Sequence, residues 1–201
     1  MKLVYGKNKD LDFQKRLFKN ILLKNKILKT ILERLDKYGL NNYYVAAGAI
    51  NQTVFNYYHG YPFDYLIADY DIVYYDEDLS YEKEDKIIKE ITKLFEDLNV
   101  KLDIKNQARI HLWYEKKFGH AIEPNKSVEE AISKWGTTVT CIGVRIEKKK
   151  LVVFAPFGLN DLFSLIIRPN KKDFIKRDYD LKTKRWKKNW PKLTIIPWDN
   201  D

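Results

Sequence analysis

Two aspartates separated by one residue, Asp69 and Asp71, stand in the run Leu66-Ile67-Ala68-Asp69-Tyr70-Asp71-Ile72-Val73-Tyr74-Tyr75-Asp76, which contains no Lys or Arg. The flanking apolar and aromatic residues read as a strand covered on both faces and ended by the Asp76-Glu77-Asp78 turn. Side chains alternate along a strand, so both carboxylates leave the same face, roughly 7 Å apart. Like charges held that close in partly dry surroundings either raise one pKa or recruit a cation. Mg²⁺ or Mn²⁺ is the natural partner for such hard oxygens. A bare Asp-x-Asp is a short motif, and the same residues also suit a solvated strand end.

A third carboxylate is available on Val100-Lys101-Leu102-Asp103-Ile104-Lys105, whose strict alternation reads as a half-buried strand with Asp103 on its polar face. An ordinary exposed strand residue between two lysines is the competing reading. Upstream, Tyr43 to Ala47 reads as a strand running into Gly48-Ala49, and Ile50 to Tyr58 as a short helix. Small residues there let the backbone approach a ligand, and the helix start offers N–H groups to a phosphate. A plain tight turn would use the same two residues. Beyond the Asp103 strand, Asn106 can cap a helix carrying Arg109 and His111. Arg109 suits either a phosphate contact or a structural hydrogen bond, and His111 the structural role.

These residues need a frame. Residues 10–38 read as one or two packing helices, capped by Asp10 or Asp12 and stopped at Gly39. Ser80 can open a helix to about Asp97, and Ser127-Val128-Glu129-Glu130 is a capping box for a helix to about Trp135. Thr137–Ile146 and Leu151–Ala155 read as a hairpin across Lys148-Lys149-Lys150, in which Thr137, Thr138 and Thr140 suit nucleotide contact or strand propensity alike. Asn160 or Asp161 starts a helix broken before Pro169, with Asp161 as a cap. A last basic helix, with Lys182, Lys184, Arg185, Lys187 and Lys188 interleaved with Trp186 and Trp190, ends at Pro191. Such a mix could bind single-stranded nucleic acid, or its tryptophans could pack in the core.

Charge is unevenly placed along the 201 residues, whose net charge is +9. Residues 1–39 carry 11 Lys and Arg against 4 Asp and Glu, residues 40–167 carry 15 against 19, and residues 168–201 carry 11 against 5. Both ends are basic around an acidic middle, so a polyanion could be drawn to the ends while a cation occupies the centre. Solubility alone would also account for lysine-rich helices. The single Cys141 forms no internal disulfide, and with no apolar stretch behind Met1 and no run of membrane-spanning length the chain is expected to be cytoplasmic.

Several ordered stretches carry a resemblance: Ala47-Gly48-Ala49-Ile50, Asp69-Tyr70-Asp71-Ile72-Val73-Tyr74, Asn106 through Tyr114, Thr137-Thr138-Val139-Thr140, Ala155 through Phe163, and Arg168-Pro169-Asn170. Over about residues 43–191 they resemble the nucleotidyltransferase fold of the DNA polymerase β superfamily, and specifically a bacterial family of nucleotidyltransferase-like proteins. The resemblance implies an α/β (α+β) fold with a mixed sheet and flanking helices, in a single domain over 1–201. It implies nucleotide binding at Gly48 and Ala49; it assigns no role to Arg109, whose reading as a phosphate or acceptor contact rests on the residue alone. It also implies that Asp69, Asp71 and Asp103 hold two ions, Mg²⁺ or Mn²⁺, for transfer of a nucleoside monophosphate from a nucleoside triphosphate to an unknown hydroxyl, RNA being one candidate acceptor. A non-catalytic nucleic-acid-binding module that keeps the fold is the alternative.

Overall fold

Five strands form the central sheet of the computed structural model, which describes residues 3–200. Their order is β3 (Leu102–Asn106), β2 (Tyr70–Tyr74), β1 (Tyr43–Ala46), β4 (Gly143–Glu147) and β5 (Lys150–Phe154). Only β2 and β3 run parallel, joined by a crossover through α4 (Tyr81–Leu94), and the remaining pairs are antiparallel, so the sheet is mixed as expected. A two-stranded parallel ribbon, β6 (Ile166–Ile167) with β7 (Thr194–Ile195), lies outside it.

Strand alternation divides the interior. Tyr43, Val45, Tyr70, Ile72, Tyr74 and Ile104 point into the main core, against α1 (Leu11–Leu22), α2 (Lys26–Tyr38) and α3 (Gly48–His59). Tyr44, Ala46 and Val73 point to the opposite face, against Val128 and Ile132 of α6 (Val128–Ser133). Asp71 and Asp103 share the parity of that second face. The final helix, α8 (Lys176–Asn189), closes the main core. Trp186 and Trp190, each 1% exposed, set their rings 5.8 Å from that of Phe55, so the tryptophans pack inside and offer no platform for bases.

The long N-terminal helix is two helices. Asp10 Oδ1 caps α1 by accepting from Phe13 N at 2.8 Å, and Gly39, at φ 78°, ends α2. Between them Asn25 is buried: its Oδ1 caps α2 at Leu28 N (3.1 Å), while its Nδ2 donates to Thr53 Oγ1 (3.0 Å) and Phe63 O (3.3 Å). Asn25→Ala would remove the cap and the two buried bonds to Thr53 Oγ1 and Phe63 O, so we expect a loss of about 2 kcal/mol, read by urea denaturation.

Four segments differ from the reading of the sequence. The central strand is shorter than 66–76, because Tyr65 N and Ile67 N bond back to Pro62 O and Asp64 O, and Leu66 adopts φ 56°; Asp69 therefore sits one residue before β2. Asn106 ends β3 rather than capping a helix: its Oδ1 accepts from Asp76 N and Ala108 N, its Nδ2 donates to Asp76 O, and α5 begins only at His111, running to Phe118. Residues 138–140 form a turn and Thr137 makes only an isolated bridge with Pro169, so the strand begins at Gly143; the Thr137 and Thr140 hydroxyls bond each other at 2.8 Å and satisfy the local backbone, with Thr138 Oγ1 donating to Asp161. Asp161 lies inside α7 (Asn160–Phe163) and takes Arg168 as its ion-pair partner, so it caps nothing.

Candidate active site

The sheet register sets three residues side by side across its central strands: Ala46 of β1 pairs with Asp71 of β2, which pairs with Asp103 of β3. β1 then turns directly into α3. Ala47 makes that turn at φ 53°, ψ −128°, a conformation that strains a residue with a Cβ. Asn51 holds the strained turn: in the amide orientation that satisfies both groups, its Nδ2 donates to Ala47 O (2.7 Å) and Gly48 O (3.0 Å). Space beside Gly48 is tight, since a Cβ there would lie 3.1 Å from Gln52 Nε2. The helix thus starts against the carboxylate strand, with its first N–H groups free of the helix ladder.

These elements line one cleft of about 340 Å³. Gly48, Asp69 and Asp71 line one end; Trp113, Tyr114 and Phe118 of α5 line another part, and Lys182 and Arg185 of α8 contribute cations. Asp103 stands next to Asp71 in register and forms an ion pair with Lys105, which does line the cleft. Lys101 comes within 4.0 Å of Asp69. Burial pushes the Asp71 carboxyl up to about 7, and the charges of Asp69 and Asp103 push the same way, against the pull of Lys105 and Lys182. Asp71 is therefore harder to ionise than an ordinary aspartate, despite the lysines near it.

A nucleotidyltransferase family model matches residues 33–195, which is most of the chain. The chain belongs to this nucleotidyltransferase family. Its fold also matches a structure solved by NMR and described as a CCA-adding enzyme head domain, with 25% identity and a TM-score of 0.68, covering 89% of this chain and 95% of the other. A CCA-adding enzyme in complex with CTP matches at TM-score 0.52 and 16% identity, over 94% of this chain and 43% of that one; the apo form of a CCA-adding enzyme matches at TM-score 0.52 and 16% identity, over 89% and 42%. The nucleotidyltransferase thus spans under half the length of those two enzymes, and they show the fold alone. No curated protein matches it in sequence.

The carboxylates of this nucleotidyltransferase suit a hard divalent cation in donor type, and burial, with the charges of Asp69 and Asp103 added to it, holds Asp71 near 7. They are not closed around one ion: among the described residues no three Asp, Glu, His or Cys side chains converge as ligands, and Asp103 faces Lys105. Gly48 lines the cleft, whereas Ala49 is fully buried and can offer only its backbone N–H. Arg109 is not brought to this cleft. Its Nε pairs with Glu84 at 2.7 Å, both side chains being largely buried, and its guanidinium also donates to Leu79 O, which pins α4 to the end of β3. Arg109→Ala would strand Glu84, so we expect a loss of about 3 kcal/mol in denaturant unfolding with nucleotide affinity unchanged.

Two cleft residues escape a reading of the sequence. Gln52, one turn into α3, buries an Oε1 that has no partner among the described residues. Lys182 reads as one more surface lysine of a basic helix, yet it lies four residues before the buried Trp186. The i, i+4 spacing was the available signal that its side chain shares the inward face.

Proposed function

We propose that this protein transfers a nucleoside monophosphate from a nucleoside triphosphate to a hydroxyl acceptor. The observation that supports it most is the alignment of Asp71 with Asp103 across parallel strands, beside the strained Ala47-Gly48 turn, with Gly48, Asp69 and Asp71 lining one cleft. The start of α3 receives phosphate oxygens on its N–H groups. Asp69 and Asp71 hold divalent cations, Mg²⁺ or Mn²⁺, and Asp103 completes the set. Bound there, the cations offset charge on the triphosphate and on the in-line transition state. Asp103, once released from Lys105, accepts the proton of the attacking hydroxyl as its oxygen bonds the α-phosphorus and pyrophosphate departs.

The acceptor is a hydroxyl whose carrier the cleft does not specify; RNA is the first class to test, because the structural neighbours are CCA-adding enzymes, and CTP is the first donor for the same reason. Among the described residues no helix is long and apolar enough to cross a membrane, which fits work on a dissolved substrate. Thermal melting with each nucleoside triphosphate, with and without Mg²⁺ or Mn²⁺, tests the donor. A triphosphate at 100 times its dissociation constant adds about 2.7 kcal/mol. Stabilisation by one triphosphate that requires the metal supports the reading, and failure of every triphosphate to shift the melting temperature sinks it.

A further inference from the structure

One cation in the cleft has no task in that chemistry. Lys182 Nζ lies 5.0 Å from the centre of the Trp186 ring and 5.9 Å from that of Phe174, so two rings place its ammonium at the cleft wall. Two other lysines of the cleft have carboxylate partners, Lys105 with Asp103 and Lys134 with Glu130 at 2.8 Å, while Lys117, like Lys182, stands over two rings, those of Trp113 and Phe118. Among the described residues Lys182 forms no ion pair, although Asp71 and Asp69 are near enough to attract it. Burial lowers its pKa below the ordinary lysine value, with Asp71 pulling the other way. A desolvated ammonium without a contacting carboxylate is costly, and an anion entering beside it relieves that cost.

Arg185 lies three residues further along α8, lines the same cleft and is exposed. Residues three apart on a helix are neighbours, so the two cations make one short basic strip. The strip shares its cleft with Asp69, Asp71 and the start of α3 at Gly48, and so can take the negative end of a ligand whose other groups meet that acidic end. A chain of phosphates has the length and the charge for it.

We propose that Lys182, with Arg185 at the cleft mouth, forms a polyphosphate-binding subsite on α8 that grips the β- and γ-phosphates of a nucleoside triphosphate. This deepens the nucleotidyl-transfer reading and rests on it for the nucleotide, but not for the affinity of the strip for polyphosphate. Lys182→Met keeps an unbranched side chain and removes the charge; Lys182→Arg keeps the charge.

The test is calorimetric titration of wild type, Lys182→Met, Lys182→Arg and Arg185→Met with inorganic tripolyphosphate, with CTP and ATP plus Mg²⁺, and with the matching monophosphates. Lys182→Met weakens tripolyphosphate and triphosphates by at least about tenfold, the worth of one charge-assisted contact, while monophosphate affinity moves by less than about twofold. Lys182→Arg restores most of the loss. Tripolyphosphate binding within about twofold of wild type in Lys182→Met, equal losses for mono- and triphosphates, or no tripolyphosphate binding by wild type overturns the subsite. If Lys182→Met loses its melting transition, Arg185→Met decides, with wild-type tripolyphosphate affinity counting against the proposal. Wild type that binds tripolyphosphate but neither binds nor transfers a nucleotide sinks the transferase reading and leaves the subsite. Metal-dependent transfer with Lys182→Met affinity unchanged does the reverse.

Discussion

Asp71→Asn is expected to fold as the wild type does and to lose nucleotidyl transfer by at least about 10³-fold, which is about 4 kcal/mol of transition-state stabilisation. The effect should be large because Asp71 is the middle carboxylate: it neighbours Asp103 in the strand register, shares the cleft with Asp69, and is the one whose proton affinity both others raise. Asparagine keeps the shape but not the charge, so the metal-dependent gain in melting temperature from a triphosphate should vanish along with turnover. The measurement is single-turnover transfer from a labelled triphosphate, with far-ultraviolet circular dichroism to confirm the fold. Turnover in Asp71→Asn at the wild-type rate would remove the carboxylates from the mechanism. Arg109→Ala is the contrasting case, because it should lower stability and spare nucleotide affinity; loss of both stability and affinity would show that the cleft and the Arg109–Glu84 pair are mechanically joined.

Much of this arrangement was legible in the sequence. Alternation and the apolar stripes located both strands of the parallel pair and the helical stretch over 10–38, because burial imposes those periods directly on residue order, whereas the mixed sheet followed from the family resemblance. The carboxylates were legible for the same reason: an aspartate inside an apolar strand run is conspicuous. What escaped depends on contacts between distant residues. The strand was overextended because a tight turn at Asp64–Ile67 and the left-handed Leu66 leave no periodic trace. Arg109 was read towards a phosphate because nothing local reveals that Glu84, 25 residues earlier on α4, claims it. The three threonines were read as strand because their propensity suits one, whereas the Thr137 and Thr140 hydroxyls close a turn and that of Thr138 bonds Asp161. Lys182 escaped because its type reads as surface, although its spacing from Trp186 marks the inward face on which the Phe174 and Trp186 rings meet it.

In the metal-free protein the second large effect is a dependence of stability on pH that runs opposite to the usual behaviour of a carboxylate. Asp71 ionises near its ordinary value in the unfolded chain but only at about 7 in the folded one. Between those values the folded state holds a proton that the unfolded state has released, so stability must fall as pH rises. Below about pH 4 both states are protonated and the term is absent; above about 7 both are ionised and the loss is complete. A displacement of about three pH units corresponds to at most about 4 kcal/mol. Urea denaturation in the absence of divalent metal, from pH 4 to pH 8, should therefore show wild type losing stability relative to Asp71→Asn across that window. Added Mg²⁺ or Mn²⁺ should reverse the trend in wild type alone, because a cation binds the ionised carboxylate and must displace the proton to do so; its stabilising effect grows as pH climbs through 7. Parallel curves for the two proteins without metal would mean that water or a lysine already neutralises Asp71. A metal effect of equal size in both would place the cation away from the carboxylates of β2 and β3.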